Sequence, residues 1–198
     1  MLVVACLLII TDLFVIVNKK LSYVPAVLCL QVIVVTRAGM IMGMEVLMIA
    51  FVLMIKALAI PFLLHRIIRH PGMPAVDRSA VKNEWNILFV AGAFIIAVVF
   101  TRQVGSGPFI AAALFTAFTG ILLISSRTTL LSQLTGFVLV QNGIFAFTLS
   151  FLMKSTFTME IVTALDVLVA VFVMAYAVKI IRENSGSVDI KTFSNLRG

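Results

Sequence analysis

The sequence predicts an all-α, polytopic membrane protein with about seven transmembrane helices, an outer N-terminus and a cytoplasmic C-terminus. Of its 198 residues, 62% are hydrophobic and only 12% are charged, which is about half the charged share of a typical soluble domain. A soluble domain of this length needs a charged surface, and this composition does not provide one. Seven apolar stretches and a one-sided distribution of Lys and Arg point to the same fold class.

Each apolar stretch reaches or approaches the roughly 20 residues that a helix needs to cross a bilayer. The predicted spans are residues 1–17, 22–38, 44–66, 86–101, 108–126, 131–153 and 157–181. The first and the fourth are short for a span. The first has neither the basic region nor the small-residue cleavage site of a signal peptide, so we expect it to stay in the protein.

Polar stretches divide the chain into four predicted parts. These are a three-helix membrane segment 1–70, a cytoplasmic loop 71–85, a four-helix membrane segment 86–182 and a cytoplasmic tail 183–198. Pro71, Gly72 and Pro74 interrupt the helical pattern in the loop. Trp85, at the foot of the fourth span, fits an aromatic anchor at the membrane surface.

The distribution of Lys and Arg predicts the orientation. If the seven spans alternate in direction, eleven basic residues lie on one side, namely Lys19, Lys20, Arg66, Arg69, Arg78, Lys82, Arg127, Lys179, Arg182, Lys191 and Arg197. Apart from Arg37, which falls within the end of the second span, only Arg102 and Lys154 lie on the other side. Because short cytoplasmic loops carry an excess of Lys and Arg, the eleven are predicted to face the cytoplasm. This bias accounts for the net charge of +7, so no nucleic-acid partner is expected.

The cysteines and histidines do not form a pattern for a metal or a cofactor. Cys6 and Cys29 are isolated within spans, whereas iron–sulfur clusters and structural zinc need several thiolates at defined spacing. His65 and His70 lie beside basic residues at the predicted cytoplasmic edge, where contact with lipid headgroups is the simplest interpretation. We therefore expect no metal, no cofactor and no catalytic residue in this chain.

Ionisable and amide side chains within the spans are the candidate functional residues, because such groups are costly in lipid and are usually functional. Lys56, Gln141, Asn142 and Asp166 fall near the middle of their spans, and Asp12 lies nearer the cytoplasmic side of the first span. All five are candidates for a proton path.

Two interpretations of these charges stay open. In the first, Lys56 and Asp166 carry protons, since burial disfavours the charged form of an ionisable group and brings proton exchange toward neutral pH. In the second, Lys56 only pairs with a carboxylate and holds helices together. Pro61 is predicted to free a backbone carbonyl near Ala57, which offers the ammonium or a water a further partner.

Arg37 and Glu45 flank the outer turn between the second and third spans. Their opposite charges and their position near the predicted outer surface suggest a structural ion pair. We expect this pair to contribute to the turn rather than to the proton path.

The stretch RTTLLSQLTGFVLVQNGIFAF, residues 127–147, resembles the second span of the K-type subunit of respiratory complex I and of the related subunit of cation/proton antiporters. The residues that carry the resemblance are Gly136 and Asn142, after a basic loop. The next span, IVTALDVLVAVFVM, resembles the third span of that family, with Asp166 where a membrane glutamate is usual. The resemblance implies that residues 108–182 form a K-type unit.

The chain departs from the K-type pattern at one position. The glutamate that the family carries in its second span is replaced here by Val138, and Gln141 follows nearly one turn later. Glutamine can orient a water molecule but does not take up and release a proton at neutral pH. The implied relay is therefore either incomplete in this chain or passes through water at Gln141 and Asn142.

Nearly the whole chain resembles membrane component E of the group 4 energy-converting hydrogenases, including the hydrogenase-4 type formate hydrogenlyases. The resemblance lies in the extra N-terminal spans, in the stretch MIKALAIPF and in the ending TALDVLVAVFVMAYAVKIIRENSGSVDIKTFSNLRG. It implies a non-catalytic subunit in a bacterial or archaeal cytoplasmic (inner) membrane, surrounded by lipid and antiporter-like membrane subunits. Iron–sulfur clusters and a nickel–iron centre are then expected on cytoplasmic hydrogenase and electron-transfer subunits.

The resulting hypothesis is a subunit that contributes to a polar axis for proton or cation translocation and to assembly of such a complex. Two alternatives stay open. The chain could belong to a multisubunit cation/proton antiporter without a hydrogenase, or it could be a purely structural membrane adaptor.

Overall fold

A computed structural model describes residues 1–18, 20–68, 83–103 and 107–151. Within these ranges the fold is all-helical, which confirms the predicted fold class at that level. The predicted seventh span 157–181 with Asp166, the tail 183–198 and His70 lie outside the described residues.

A helix occupies each of the first six predicted spans. The helices are α1 (Leu2–Val17), α2 (Val24–Ile41, after a 3₁₀ turn Leu21–Tyr23), α3 (Val46–Val52), α4 (Ile60–Ile68), α5 (Asn83–Gln103), α6 (Pro108–Ser126) and α7 (Leu130–Phe151). A π-helical segment, Leu53–Ala59, joins α3 to α4, so these three pieces together form the third predicted span.

Four helical stretches of the described part are long and apolar enough to cross a membrane. They are Leu21–Ile41, Val46–Arg66, Trp85–Gln103 and Pro108–Ser126, and α1 is a shorter apolar helix. These helices make the chain a multi-pass membrane protein. The full count of seven spans and the outer position of the N-terminus stay predictions.

The third span changes its winding just before Pro61. The proline has no N–H for the carbonyl four residues earlier, and its ring crowds that carbonyl. The preceding turns are wider, and the Ile60 N–H donates to the Ile55 carbonyl five residues back. Such π segments occur frequently at functional sites, and this one contains Lys56.

Helices α6 and α7 pack in direct backbone contact. A Cβ added to Gly120 would lie 2.5 Å from the Gly136 carbonyl oxygen, and one added to Gly136 would lie 2.6 Å from the Gly120 carbonyl oxygen. Only glycine fits at this crossing, as is common where membrane helices associate closely. The close approach brings the inward face of α7 next to that of α6.

The core lies between α1, α2, the third span, α6 and α7, and apolar side chains from all five form its main cluster. The Phe94 ring of α5 packs edge-on against Phe115 of α6, with ring centroids 5.7 Å apart. Most of α5 is otherwise exposed, since only 11% of its apolar stretch is buried. The five-helix core therefore positions the buried polar residues, while α5 covers one side of α6.

Candidate functional site

The carboxylate of Asp12 is the centre of a buried polar network. Asp12 lies on α1 and is 0% exposed. Gln31 Nε2, on α2, donates to Asp12 Oδ1 at 2.5 Å, and the Thr116 hydroxyl, on α6, donates to Asp12 Oδ2 at 2.7 Å. Both carboxylate oxygens thus accept hydrogen bonds from other helices, which is how a buried carboxylate is retained in an apolar bundle.

The network continues to a fourth helix. Asn142 Nδ2, on α7, donates to Gln31 Oε1 at 3.4 Å, and both amides are almost fully buried. Gln31 therefore bridges Asp12 and Asn142, using its N–H group toward one and its carbonyl oxygen toward the other. Four helices meet at one chain of polar side chains.

Thr116 has two acceptors for a single hydroxyl proton. Besides Asp12 Oδ2, its oxygen lies 2.9 Å from the carbonyl oxygen of Ala112 on its own helix. When Asp12 is ionised, the hydroxyl donates to the carboxylate. When Asp12 is protonated at Oδ2, the acid donates to Thr116 Oγ1 and the hydroxyl donates to Ala112 instead. The local geometry thus accommodates both protonation states without a lost hydrogen bond.

Lys56 lies inside the bundle, as its position in the sequence predicts. The side chain is 3% exposed, and its Nζ lies 4.2 Å from the centroid of the Phe145 ring on α7. A cation over an aromatic face is stabilised by the ring quadrupole, by about 2 kcal/mol or more where water is excluded. Phe145 follows Asn142 by one helical turn, so Lys56 lies close to the α7 end of the polar network.

Gln141 and Val138 take different positions from Asn142. Gln141 is half-buried, and none of the hydrogen bonds among the described residues involves its side chain. Val138 is 2% exposed and belongs to an apolar cluster with Leu134 and Leu139. The structure thus brings Asn142, but not Gln141, into the network.

The predicted ion pair between Arg37 and Glu45 does not occur among the contacts of the described residues. Both side chains are exposed, and the Arg37 guanidinium instead contacts the Met40 sulfur at 3.9 Å; among the described residues Arg37 and Glu45 form no ion pair. Helix α2 runs on to Ile41, past the predicted end of the span, which leaves Arg37 on the helix surface. An exposed pair gains little free energy, so nothing draws the two side chains together.

Arg127, in the connection between α6 and α7, is buried and bonds to the end of α1. It is 6% exposed, and its Nη2 donates to the Ile16 carbonyl oxygen at 2.7 Å. That carbonyl lies in the last turn of α1, where a positive charge is favourable. Arg127 therefore ties the α6–α7 connection to the end of α1.

The sequence interpretation did not single out Gln31 and Thr116. Gln31 is the only strongly polar side chain in the stretch VLCLQVIVV, and a lone amide at mid-span is a signal of the same kind as Asn142. Thr116 carries no such signal, since threonine is ordinary in apolar helices.

No group of three or more His, Cys, Asp or Glu residues in the described ranges could hold a metal ion. Cys6 is exposed and Cys29 is half-buried, and both are free thiols. Of the five candidates for the proton path, four fall on described residues, and Asp166 lies outside them.

The chain was also compared with known proteins. No protein-family model, no curated protein and no solved structure gives a significant match.

Proposed function

We propose that this chain is an integral membrane subunit of a multisubunit membrane-bound hydrogenase related to complex I, and that it takes part in proton translocation through Asp12 and Lys56. The multi-pass helical fold and the resemblance of its lysine stretch and last spans to that family support the assignment. Asp12 and Lys56 are two of the three charged side chains buried in the described part; the third, Arg127, lies at the end of the bundle and bonds to the Ile16 carbonyl oxygen.

The observation that carries the proposal is the arrangement at Thr116. A carboxylate that only cross-links helices needs donors and nothing else. At Asp12, the 2.7 Å bond from Thr116 and the alternative acceptor at Ala112, 2.9 Å from the same hydroxyl, leave the site satisfied with and without the proton. A group that must bind and release a proton in an apolar interior benefits from this exchange of donors, because an unpaired buried polar group costs about 1–3 kcal/mol.

Lys56 is the second proton-carrying group of the proposal. The Phe145 ring stabilises its ammonium form, and the π-helical segment places it at the middle of the third span. Lys56 contacts the Phe145 ring, one helical turn from Asn142 at the α7 end of the network, whereas Asp12 lies at its α1 end. Because the amides of Gln31 and Asn142 orient water but do not carry a proton, a proton moving between Asp12 and Lys56 would need water molecules ordered along these amides.

The test is Asp12→Asn in the assembled complex, purified from its own membrane and reconstituted into proteoliposomes. The substitution keeps the size of the side chain and replaces the ionisable carboxyl with an amide that does not take up or release a proton. We expect normal assembly and a loss of about a hundredfold or more in proton movement coupled to turnover, since a positioned proton carrier contributes about 10²–10⁴-fold. Thr11→Val is the matched control, because Thr11 is the adjacent buried residue and its hydroxyl bonds only to the Leu8 carbonyl oxygen. Full coupled proton movement in the Asp12→Asn complex would exclude Asp12 from the path.

Co-purification in mild detergent separates the hydrogenase from the alternatives. Nickel, iron and cluster-bearing subunits recovered with the chain support the proposal. Antiporter subunits without iron assign the chain to a cation/proton antiporter. A complex that assembles and keeps full transport with both Asp12→Asn and Lys56→Met assigns the chain the role of a structural adaptor.

A further inference from the structure

A narrow cleft opens at the end of the bundle where α1 and α6 end and α2 and α7 begin. Four of its eight lining residues have polar side chains, namely Asn18, Arg127, Ser132 and Thr135. It has room for about one water molecule. The apolar side chains form most of the accessible wall, and the four polar residues provide the hydrogen-bonding groups that a water molecule in the cleft needs.

The cleft lies in line with the Asp12 network. Val24, Leu123 and Thr135 line the cleft, and each is seven residues from a network residue on its own helix, at Gln31, Thr116 and Asn142 respectively. Seven residues are about two helical turns, or roughly 10 Å along the axis, and they return to the same helix face. On α1 the separation is one turn, because Val15 lines the cleft and Asp12 lies three residues before it.

Thr119 occupies the interval between the cleft and Asp12. It lies on α6, one turn from Thr116 and one turn from Leu123, and is 2% exposed. Within the described part of the chain its buried hydroxyl has no hydrogen-bond partner, whereas the Thr116 and Thr135 hydroxyls bond to carbonyl oxygens of their own helices. An ordered water is the usual partner of such a group.

Leu28 and Leu139, both 0% exposed, fill the same interval on α2 and α7. They separate the cleft from Gln31 and Asn142 with apolar side chains. Of the three described residues that fill this interval on α2, α6 and α7, Thr119 alone has a polar side chain, so its hydroxyl is the group that would hold a water molecule there.

We infer that the cleft is the aqueous mouth of a proton access route to Asp12, and that a water molecule bound at Thr119 is its intermediate station. The inference rests on the proposed function, in which Asp12 binds a proton. A hydronium at the mouth gives its proton to the water at Thr119, and this water gives a proton to the Asp12 carboxylate. O–H bonds are exchanged along the line, and no other bond forms or breaks. Release follows the reverse order.

The experiment measures how fast the protonated Asp12 carboxyl exchanges its hydrogen with deuterium oxide. Infrared spectroscopy of the full chain in lipid vesicles follows the carbonyl stretch of this carboxyl, which is assigned by its loss in Asp12→Asn. Thr119→Val keeps the shape of the side chain and removes a hydroxyl without a protein partner among the described residues, so the fold is retained. We expect exchange to slow by about tenfold, the loss of one hydrogen bond to the station water. Thr119→Ser is the matched control and should exchange at the wild-type rate.

A second variant tests the mouth. Leu123→Ala widens the cleft, and we expect faster exchange because more water enters it. Ile121→Ala is the control, since Ile121 lies on the same helix but is exposed and does not line the cleft. Exchange at the wild-type rate in Thr119→Val would overturn the station, and an unchanged rate in Leu123→Ala would overturn the mouth. Absence of any protonated Asp12 band across the pH range would instead defeat the proposed function, and with it the route.

Discussion

A 2.7 Å hydrogen bond joins Thr116 to Asp12 across 104 positions of the sequence. It links α6 to α1, and through Gln31 and Asn142 the same carboxylate is connected to α2 and α7. Each of these bonds crosses from one helix to another. A change in the protonation of Asp12 therefore changes the hydrogen bonds that Gln31 and Thr116 donate from neighbouring helices. A site that couples membrane helices needs this property.

Replacing Thr116 by Val tests the strength of this link. The substitution keeps the side-chain shape and leaves Asp12 Oδ2 without its donor, so we expect a loss of about 1–3 kcal/mol in the free energy of unfolding. Thermal or denaturant unfolding of the chain in detergent measures the loss. Thr36→Val is the control, because Thr36 is equally buried but bonds only to the Val32 carbonyl oxygen of its own helix. Equal losses in the two variants would mean that the Asp12 bond adds nothing.

The two hydrogen bonds of the Gln31 side chain are predicted to contribute unequally to the free energy of unfolding. Its bond to Asp12 is 2.5 Å long and involves a carboxylate, whereas its bond from Asn142 is 3.4 Å long and joins two neutral amides. Hydrogen bonds to charged groups contribute about twice as much as neutral ones. Gln31→Met removes both bonds and Asn142→Leu removes only the longer one, so we expect Gln31→Met to cost more than twice the stability lost in Asn142→Leu, measured by unfolding in detergent.

A double variant completes that measurement. Gln31→Met and Asn142→Leu remove the same 3.4 Å bond, so the second substitution should cost less once the first is present. If the two losses in the free energy of unfolding were strictly additive, Asn142 would not be coupled to the rest of the network.

The sequence alone predicts most helices because their signal is local. Roughly 20 apolar residues form a span wherever they occur, and this holds for the stretches that become α2, α5 and α6. Lys56, Asp12 and Asn142 were found for a related reason, since a polar side chain in an apolar stretch is visible without any knowledge of packing.

The remainder of the site depends on which helices are neighbours. Thr116 has the same local surroundings as Thr36 or Thr135, and only the packing of α1 against α6 gives it a carboxylate to bind. The central place of Asp12 follows from the same packing. The expectation of an ion pair between Arg37 and Glu45 rested on closeness in sequence, which does not determine where two exposed side chains point.

The contact between Gly120 and Gly136 predicts that no side chain larger than glycine fits at the α6–α7 crossing without loss of stability. In Gly136→Ala the new methyl group would lie 2.6 Å from the Gly120 carbonyl oxygen and 2.9 Å from Ile124 Cγ1, so the helices must separate. We expect a loss of about 1–3 kcal/mol, the usual cost of overpacking, together with weaker bonds at Asn142. Unfolding in detergent is the measurement.

Gly92 on α5 provides the control for this prediction. A Cβ at Gly92 meets no other atom within 4 Å, and alanine is the better helix former by about 1 kcal/mol. Gly92→Ala should therefore be neutral or stabilising. If Gly136→Ala were as stable as Gly92→Ala, the close crossing of α6 and α7 would not exist in the membrane.

Replacing Phe145 by Leu tests the contact that holds the Lys56 side chain. The substitution keeps an apolar side chain on α7 and removes the ring that lies 4.2 Å from Nζ. We expect a loss of about 2 kcal/mol in the free energy of unfolding, the contribution of a desolvated cation–π contact, in addition to the smaller cost of repacking. In the Lys56→Met background the same substitution should cost only the repacking, and an identical loss in both backgrounds would show that the ring does not interact with the charge.

Replacing Lys56 by Met separates a proton carrier from a structural cation. If Lys56 carries protons, the complex should assemble in normal amount and lose coupled proton movement in proteoliposomes, because the methionine keeps the length of the side chain and removes its charge. If Lys56 only neutralises a buried carboxylate, the substitution leaves that group uncompensated at a cost of about 3–5 kcal/mol, and assembly should fall together with activity. Lys20→Met is the control, since Lys20 is exposed at the helix edge and should affect neither property. A Lys56→Met complex that assembles fully and moves protons at the wild-type rate would show that the lysine lies outside the path, and the contact with Phe145 would then serve packing alone.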